Sequence, residues 1–240
     1  MVYKDNPIIC AVDTRDIDYA IRLSSTLKGK IGAIKLGLEF FTLFGIDGVK
    51  RVTNDGEIPL FLDLKFFDIP NTVAGAIKSS MACSPFLLTI HASGGQEMIK
   101  RSVEAAKERA EELSIEPPKI LAVTLLTSLG KDYLQNIGID DNMQGQVSRL
   151  ANLASESGAD GFVCSGQEVK SLNQRFGDDF IYVVPGIRSR NESSDDQKRV
   201  VTPKVAMDSG ATFLVMGREI TRSNDPVSTV ENILEELNKN

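Results

Sequence analysis

Eight short, continuously apolar runs rich in β-branched residues recur along the chain, and between them the hydrophobic pattern switches to a helical period. The runs are Ile8 to Val12, Ile31 to Ile34, Leu60 to Leu62, Phe86 to Ile90, Ile120 to Leu126, Gly161 to Cys164, Phe180 to Val184 and Thr212 to Met216. A strand with one wet face alternates polar and apolar residues, so a continuous run predicts a strand covered on both faces, as in a parallel sheet. Parallel neighbours need crossovers, and the intervening segments supply them. From Ile99 the positions Val103, Ala106, Ala110 and Leu113 form one helical stripe, with Lys100, Arg101, Glu104, Lys107, Glu108 and Glu111 on the other faces. The last segment opens on Asp225 as N-cap and Pro226 at the first helical position, then sets Val227, Val230, Leu234 and Leu237 on one stripe. Eight such units predict a single α/β domain over residues 1–240, a (β/α)8 (TIM) barrel, with an open doubly wound sheet as the competing topology.

In such a barrel the active site sits at the C-terminal ends of the strands, so the residue that ends each run is informative. Asp13 follows the first run, Lys35 the second, Asp63 and Lys65 the third, His91 the fourth, Thr127 the fifth, and Gly217-Arg218 the eighth. Asp63 and Lys65 are two apart and share one face of a regular strand. Pro70 fits a helix start, which leaves Asp68 in the preceding turn. With Lys35 one strand away, two cations and one or two carboxylates converge. Buried charges are costly unless paired, so this cluster is either a reactive field or an ion-pair lattice that only holds the rim. Gly217 and Arg218 suit a phosphate, since the glycine admits close backbone approach and the guanidinium is a two-pronged donor. The 17 residues from Gly186 to Thr202 carry no sustained stripe and predict a lid or a disordered segment, from which Arg188 and Gln197 could add donors.

Other chemistries are excluded or weak. Cys10, Cys83 and Cys164 are far apart in sequence, so no CxxC motif or disulfide scaffold is present and buried reduced thiols are expected. His91 is the lone histidine, and no HExxH, P-loop, GxSxG or transition-metal spacing occurs. A net charge of −6 gives no general attraction for nucleic acid or an anionic membrane, so an anionic ligand needs a local cationic cluster. No apolar stretch approaches the ~18 residues of a membrane span, and the first residues lack a signal-peptide layout, so the cytoplasm is the expected compartment. The Asn191-Glu192-Ser193 sequon is then a chance match.

The stretch Phe61-Leu62-Asp63-Leu64-Lys65-Phe66-Phe67-Asp68-Ile69-Pro70-Asn71-Thr72-Val73 closely resembles the signature of the orotidine 5′-monophosphate decarboxylase family. Ala11-Val12-Asp13, Ile34-Lys35-Leu36-Gly37, His91-Ala92, Ala122-Val123-Thr124, Thr127-Ser128, Pro185-Gly186-Ile187-Arg188, Asp196-Gln197 and Val215-Met216-Gly217-Arg218 agree in order. Phe67 stands where many members carry His. The resemblance implies a stand-alone bacterial-type enzyme that converts orotidine 5′-monophosphate to uridine 5′-monophosphate and carbon dioxide, in the last step of de novo pyrimidine nucleotide synthesis, without metal or organic cofactor. It implies Lys65 as proton donor within an array of Lys35, Asp63, Lys65 and an Asp68 supplied by the second subunit of a homodimer, with Thr72 reaching across alongside it. Asp13 and Lys35 would bind ribose hydroxyls, Thr127 the pyrimidine edge, and Arg188, Gln197, Gly217 and Arg218 the phosphate. Two other readings stay open: a metal-dependent sugar-phosphate decarboxylase or aldolase sharing the Asp-x-Lys-x-x-Asp core, and a non-enzymatic nucleotide-binding barrel.

Overall fold

The computed structural model describes residues 6–129, 132–140, 142–189 and 201–239, so Gln197 and the Asn191 sequon lie outside the described residues. Eight parallel strands close into a barrel in chain order. They are β1 Ile8–Ala11, β2 Ala33–Gly37, β3 Leu60–Phe66, β4 Leu87–His91, β5 Lys119–Val123, β6 Gly161–Val163, β7 Ile181–Pro185 and β8 Phe213–Met216. The helices are α1 Ile17–Leu27, α2 Leu38–Thr53, α3 Pro70–Ser80, α4 Gly95–Leu113, α5 Tyr133–Asn136, α6 Met143–Glu156, α7 Val169–Phe176, α8 Pro203–Asp208, α9 Arg218–Thr221 and α10 Pro226–Asn238. The closed order excludes the open sheet.

A single parity rule runs through all eight strands. Even-numbered residues such as Ile8, Cys10, Ile34, Leu62, Phe162 and Leu214 pack outward with the helices, and odd-numbered ones such as Ile9, Ala33, Phe61, Leu121, Val183 and Phe213 fill the lumen. Both faces are dry, which is why the runs read as continuous. The same parity places Lys35 and Asp63 on the lumen face, opposite the outward Ile34 and Leu62.

Several boundaries differ from the sequence reading. Lys35 lies in the middle of β2 rather than after it, and β5 stops at Val123, four residues before Thr127. Leu113 is 39% exposed at the end of α4, while Met98, Ser102 and Ala105 join the buried stripe. In α10 the buried residues are Val230 and Ile233, with Val227, Leu234 and Leu237 partly covered. The Asp225 carboxylate accepts the Ser228 N–H at 3.0 Å, a cap worth about 1 kcal/mol. Pro70 begins α3 as expected, with Asp68 in the turn before it. Cys10, Cys83 and Cys164 are free and buried, and burial pushes the Cys10 thiol up to about 12 and the Cys83 thiol to about 11, so neither is a ready nucleophile.

Candidate active site

A cavity of about 340 Å³ opens at the C-terminal ends of the strands, within the range of roughly 300–1,000 Å³ typical of small-molecule sites. Apolar lumen residues Phe61, Val123, Val163 and Val215 line its lower part, and Lys35, Asp63 and Lys65 also face it. Lys65 Nζ donates to both Asp63 carboxylate oxygens at 2.7 Å. Lys35 Nζ sits 3.5 Å from Asp63 Oδ2 and 3.5 Å from Asp13 Oδ1. The order Asp13, Lys35, Asp63, Lys65 therefore alternates in sign across three strands. The Lys35 and Asp63 side chains are each 11% exposed, a setting in which an unpaired charge would cost several kcal/mol. Burial would raise the Asp63 carboxyl, but Lys35 and Lys65, with hydrogen bonds from Lys65 and Thr89, outweigh it and hold it below the usual carboxylate range. Asp63 is thus a fixed anion at neutral pH. Lys65, 28% exposed, is the less covered partner of that pair.

Asp63 and Lys65 share the lumen face, as their two-residue spacing predicts, with Leu64 turned outward between them, but the strand there is not regular. The β3–β4 register shifts between Leu62 and Phe66, and Lys65 adopts φ +49°, a left-handed conformation that costs a non-glycine residue about 1–3 kcal/mol. Such strain persists only where neighbours over-determine it. Here the Lys65 N–H donates to Thr89 Oγ1 at 2.9 Å.

Gly186, Arg188, Gly217 and Arg218 line the same cavity from the ends of β7 and β8. Gly217 caps the four-residue α9, and a Cβ there would meet only Ala11 at ordinary distance, so the space it leaves belongs to the cavity rather than to protein packing. α9 is held from outside by the Tyr19 hydroxyl, which donates to the Thr221 carbonyl. Glu219 links it to the β7 side by accepting the Ser189 N–H at 3.1 Å. The roots of the long connection meet: Ile187 bridges to Val201, and the Arg188 N–H donates to the Val201 carbonyl at 3.2 Å. Gly166 underlies that junction, where a Cβ would fall 2.2 Å from Val201 Cγ2.

Thr127 lines the cavity despite lying beyond β5, together with Leu125 and Leu126. Asp68 and Thr72 are exposed and do not line it; the Asp68 carboxylate accepts its neighbour Ile69's N–H at 2.6 Å. His91 ends β4 outside the lining, with its ring 5.8 Å from Phe67, and burial, followed by the Lys65 charge, pushes its pKa down, so it is neutral at pH 7. Thr89 and Glu219 were not among the sequence-derived site residues. Thr89 reads as one more β-branched residue inside an apolar run, and Glu219 matters through a partner 30 residues away. Among the described residues no three His, Cys, Asp or Glu side chains converge as a metal-ligand group.

A closed parallel barrel with an alternating lysine–carboxylate array at its C-terminal rim defines a (β/α)8-barrel enzyme with an ionic site. The chain belongs to the orotidine 5'-phosphate decarboxylase / HUMPS family, whose model matches residues 6–233. It is 48% identical to an orotidine 5'-phosphate decarboxylase of Rhodospirillum rubrum, over 97% of this chain and 94% of that relative. It is 46% identical to one of Ehrlichia chaffeensis, over 98% of each. The solved orotidine 5'-phosphate decarboxylase of Lactobacillus acidophilus superposes with a TM-score of 0.86 at 39% identity, covering 98% of this chain and 100% of that one.

Proposed function

We propose that the chain decarboxylates orotidine 5′-monophosphate to uridine 5′-monophosphate and carbon dioxide, the closing step of de novo pyrimidine nucleotide synthesis. The relatives' names support the activity. The observation that carries the finer reading is Asp63, buried and ionised between Lys35 and Lys65 at a cavity that also exposes Arg188 and Arg218. The bond from ring carbon 6 to the carboxylate breaks, its electron pair stays on carbon 6, and carbon dioxide leaves. That carbanion lies in the ring plane with no π-system to delocalise it, so a fixed ammonium beside it is the most effective stabiliser a protein offers. Lys65 supplies the ammonium, delivers a proton from Nζ to carbon 6, and is reprotonated from solvent. Asp63 aims Lys65 through the paired 2.7 Å contacts. Asp13 and Lys35 take the ribose hydroxyls, Thr127 the pyrimidine edge, and Arg188, Gln197, Gly217 and Arg218 the phosphate. β8 followed by a short helix is the usual phosphate position of this fold.

No cofactor enters this chemistry. A divalent cation placed at Asp63 would face two ammonium groups within 3.5 Å, an unfavourable field for the metal-dependent alternative. The deciding experiment follows the ultraviolet absorbance of orotidine 5′-monophosphate with purified protein and excess chelator. Undiminished turnover is the expected result. Loss on chelation would favour the sugar-phosphate enzyme, and tight uridine 5′-monophosphate binding without turnover would favour the non-enzymatic barrel.

The working unit is a homodimer in which Asp68 and Thr72 complete the neighbour's site. Supporting this, both are exposed on a strip that also exposes Phe67 (61%) and Ile69 (66%), a large apolar surface for a single subunit to leave in water. Lys65→Ala and Asp68→Asn subunits, each inactive alone, should regain about a quarter of wild-type activity when unfolded and refolded together, because half the dimers carry one intact site. Absence of recovery in a mixture shown to contain heterodimers would place Asp68 in its own subunit's site, and full activity of Asp68→Asn alone would place it in none.

A further inference from the structure

The kink that presents Lys65 needs something to hold it. The β3–β4 ladder pairs Leu62 with Leu88 and resumes only at Phe66 with Ile90, so Lys65 falls in the gap with φ +49°. Its N–H takes a side-chain oxygen in place of a ladder carbonyl: Thr89 Oγ1, at 2.9 Å. Thr89 is fully buried on the lumen side of β4, and the same hydroxyl donates its hydrogen to Asp63 Oδ1 at 3.0 Å. Asp63 in turn receives Lys65 Nζ at 2.7 Å. One oxygen thus closes a ring that contains both ends of Lys65, backbone and ammonium.

We propose that Thr89 is a positioning residue for the decarboxylation: its hydroxyl clamps the strained Lys65 backbone to the Asp63 carboxylate and so aims Lys65 Nζ at the reacting carbon. Thr89 does not line the cavity, so it acts only through these two neighbours. The inference rests on the activity proposed above. Valine fills almost the same volume but can neither accept the Lys65 N–H nor donate to Asp63, which leaves both buried groups one partner short.

The test compares wild type, Thr89→Val and Thr89→Ser in kcat and KM for orotidine 5′-monophosphate, in Kd for uridine 5′-monophosphate, and in the pH profile of kcat. Thr89→Val is expected to lower kcat by about 10- to 100-fold, the range open to a charge-assisted hydrogen bond. KM and the product Kd should stay near wild type, and Thr89→Ser should restore most of kcat. The acid limb of kcat should move to higher pH in Thr89→Val, because Asp63 loses a donor that favours its ionised form. The charged and titratable groups around that carboxylate, Lys35, Lys65, Asp13 and His91, are unchanged in the variant. Wild-type kcat in Thr89→Val, a Thr89→Ser as slow as Thr89→Val, or a parallel loss of kcat and product affinity would each overturn the proposal. A wild-type protein that does not turn over orotidine 5′-monophosphate would remove the functional reading and this inference with it, whereas an active wild type with an equally active Thr89→Val removes this inference alone.

Discussion

Replacing Lys65 by alanine is expected to cut kcat for orotidine 5′-monophosphate by at least about 10⁴-fold, while uridine 5′-monophosphate still binds. The magnitude comes from two separate roles. A positioned proton donor contributes about 10²–10⁴-fold, and a preorganised charge beside a developing anion about 10²–10³-fold, and one side chain supplies both. Product binding should survive because Asp13, Lys35, Thr127, Arg188 and Arg218 line the cavity independently of Lys65. Asp63 also remains 3.5 Å from Lys35 and hydrogen-bonded to Thr89, so its charge is not abandoned in the variant. Ultraviolet assay and titration calorimetry on the same preparation check both halves. Near-native turnover would end the assignment of Lys65 as proton donor, and loss of product binding would show that the lysine holds the pocket together rather than doing chemistry in it.

Much of the barrel could be read in advance because burial on both faces of a strand leaves a direct mark, a run such as Ile8 to Ala11 with no polar interruption. The polar residues that do interrupt lumen positions stand out against that background, which is why Lys35, Asp63 and Lys65 were visible. What the pattern could not show is where a strand departs from regular geometry. The two-residue spacing of Asp63 and Lys65 puts both on the lumen face, as found, but it carries no sign that Lys65 takes a left-handed conformation at a register shift, or that the residue holding it there, Thr89, sits on the next strand. Thr127 faces the cavity from an irregular segment, so its place depends on a loop path that no periodicity encodes. Asp68 and Thr72 expose the opposite gap: both are exposed in the single chain, and the role proposed for them would need a second copy to complete it. The acidic total is also uninformative about the ligand, since Lys35, Lys65, Arg188 and Arg218 gather at one cavity of a chain with net charge −6.

That local concentration of charge leads to the second large effect. Arg218→Ala is expected to lower kcat/KM for orotidine 5′-monophosphate by about 10²–10³-fold, since removing one partner of a desolvated, hydrogen-bonded charge pair costs about 2–5 kcal/mol. The loss should reach kcat as well as KM. Arg218 opens α9 at the end of β8, whereas Lys65 acts from β3, so an anchor on one part of the substrate positions another part across the barrel mouth. Binding energy from a non-reacting group is available to orient the reacting one, and a substrate held loosely at the phosphate presents carbon 6 to Lys65 less often. The backbone around Arg218 is fastened independently, by Tyr19 on the Thr221 carbonyl and by Glu219 on the Ser189 N–H, so truncating the side chain should leave the loop in place. The control is orotidine, the same nucleoside without phosphate. Wild type should process it slowly, and Arg218→Ala should process it at nearly the wild-type rate. Equal losses on both substrates would take Arg218 out of the phosphate site and attribute the defect to the shape of the cavity, whereas a selective loss fixes the end of the barrel at which the phosphate is held and with it the direction in which the pyrimidine ring lies across the site.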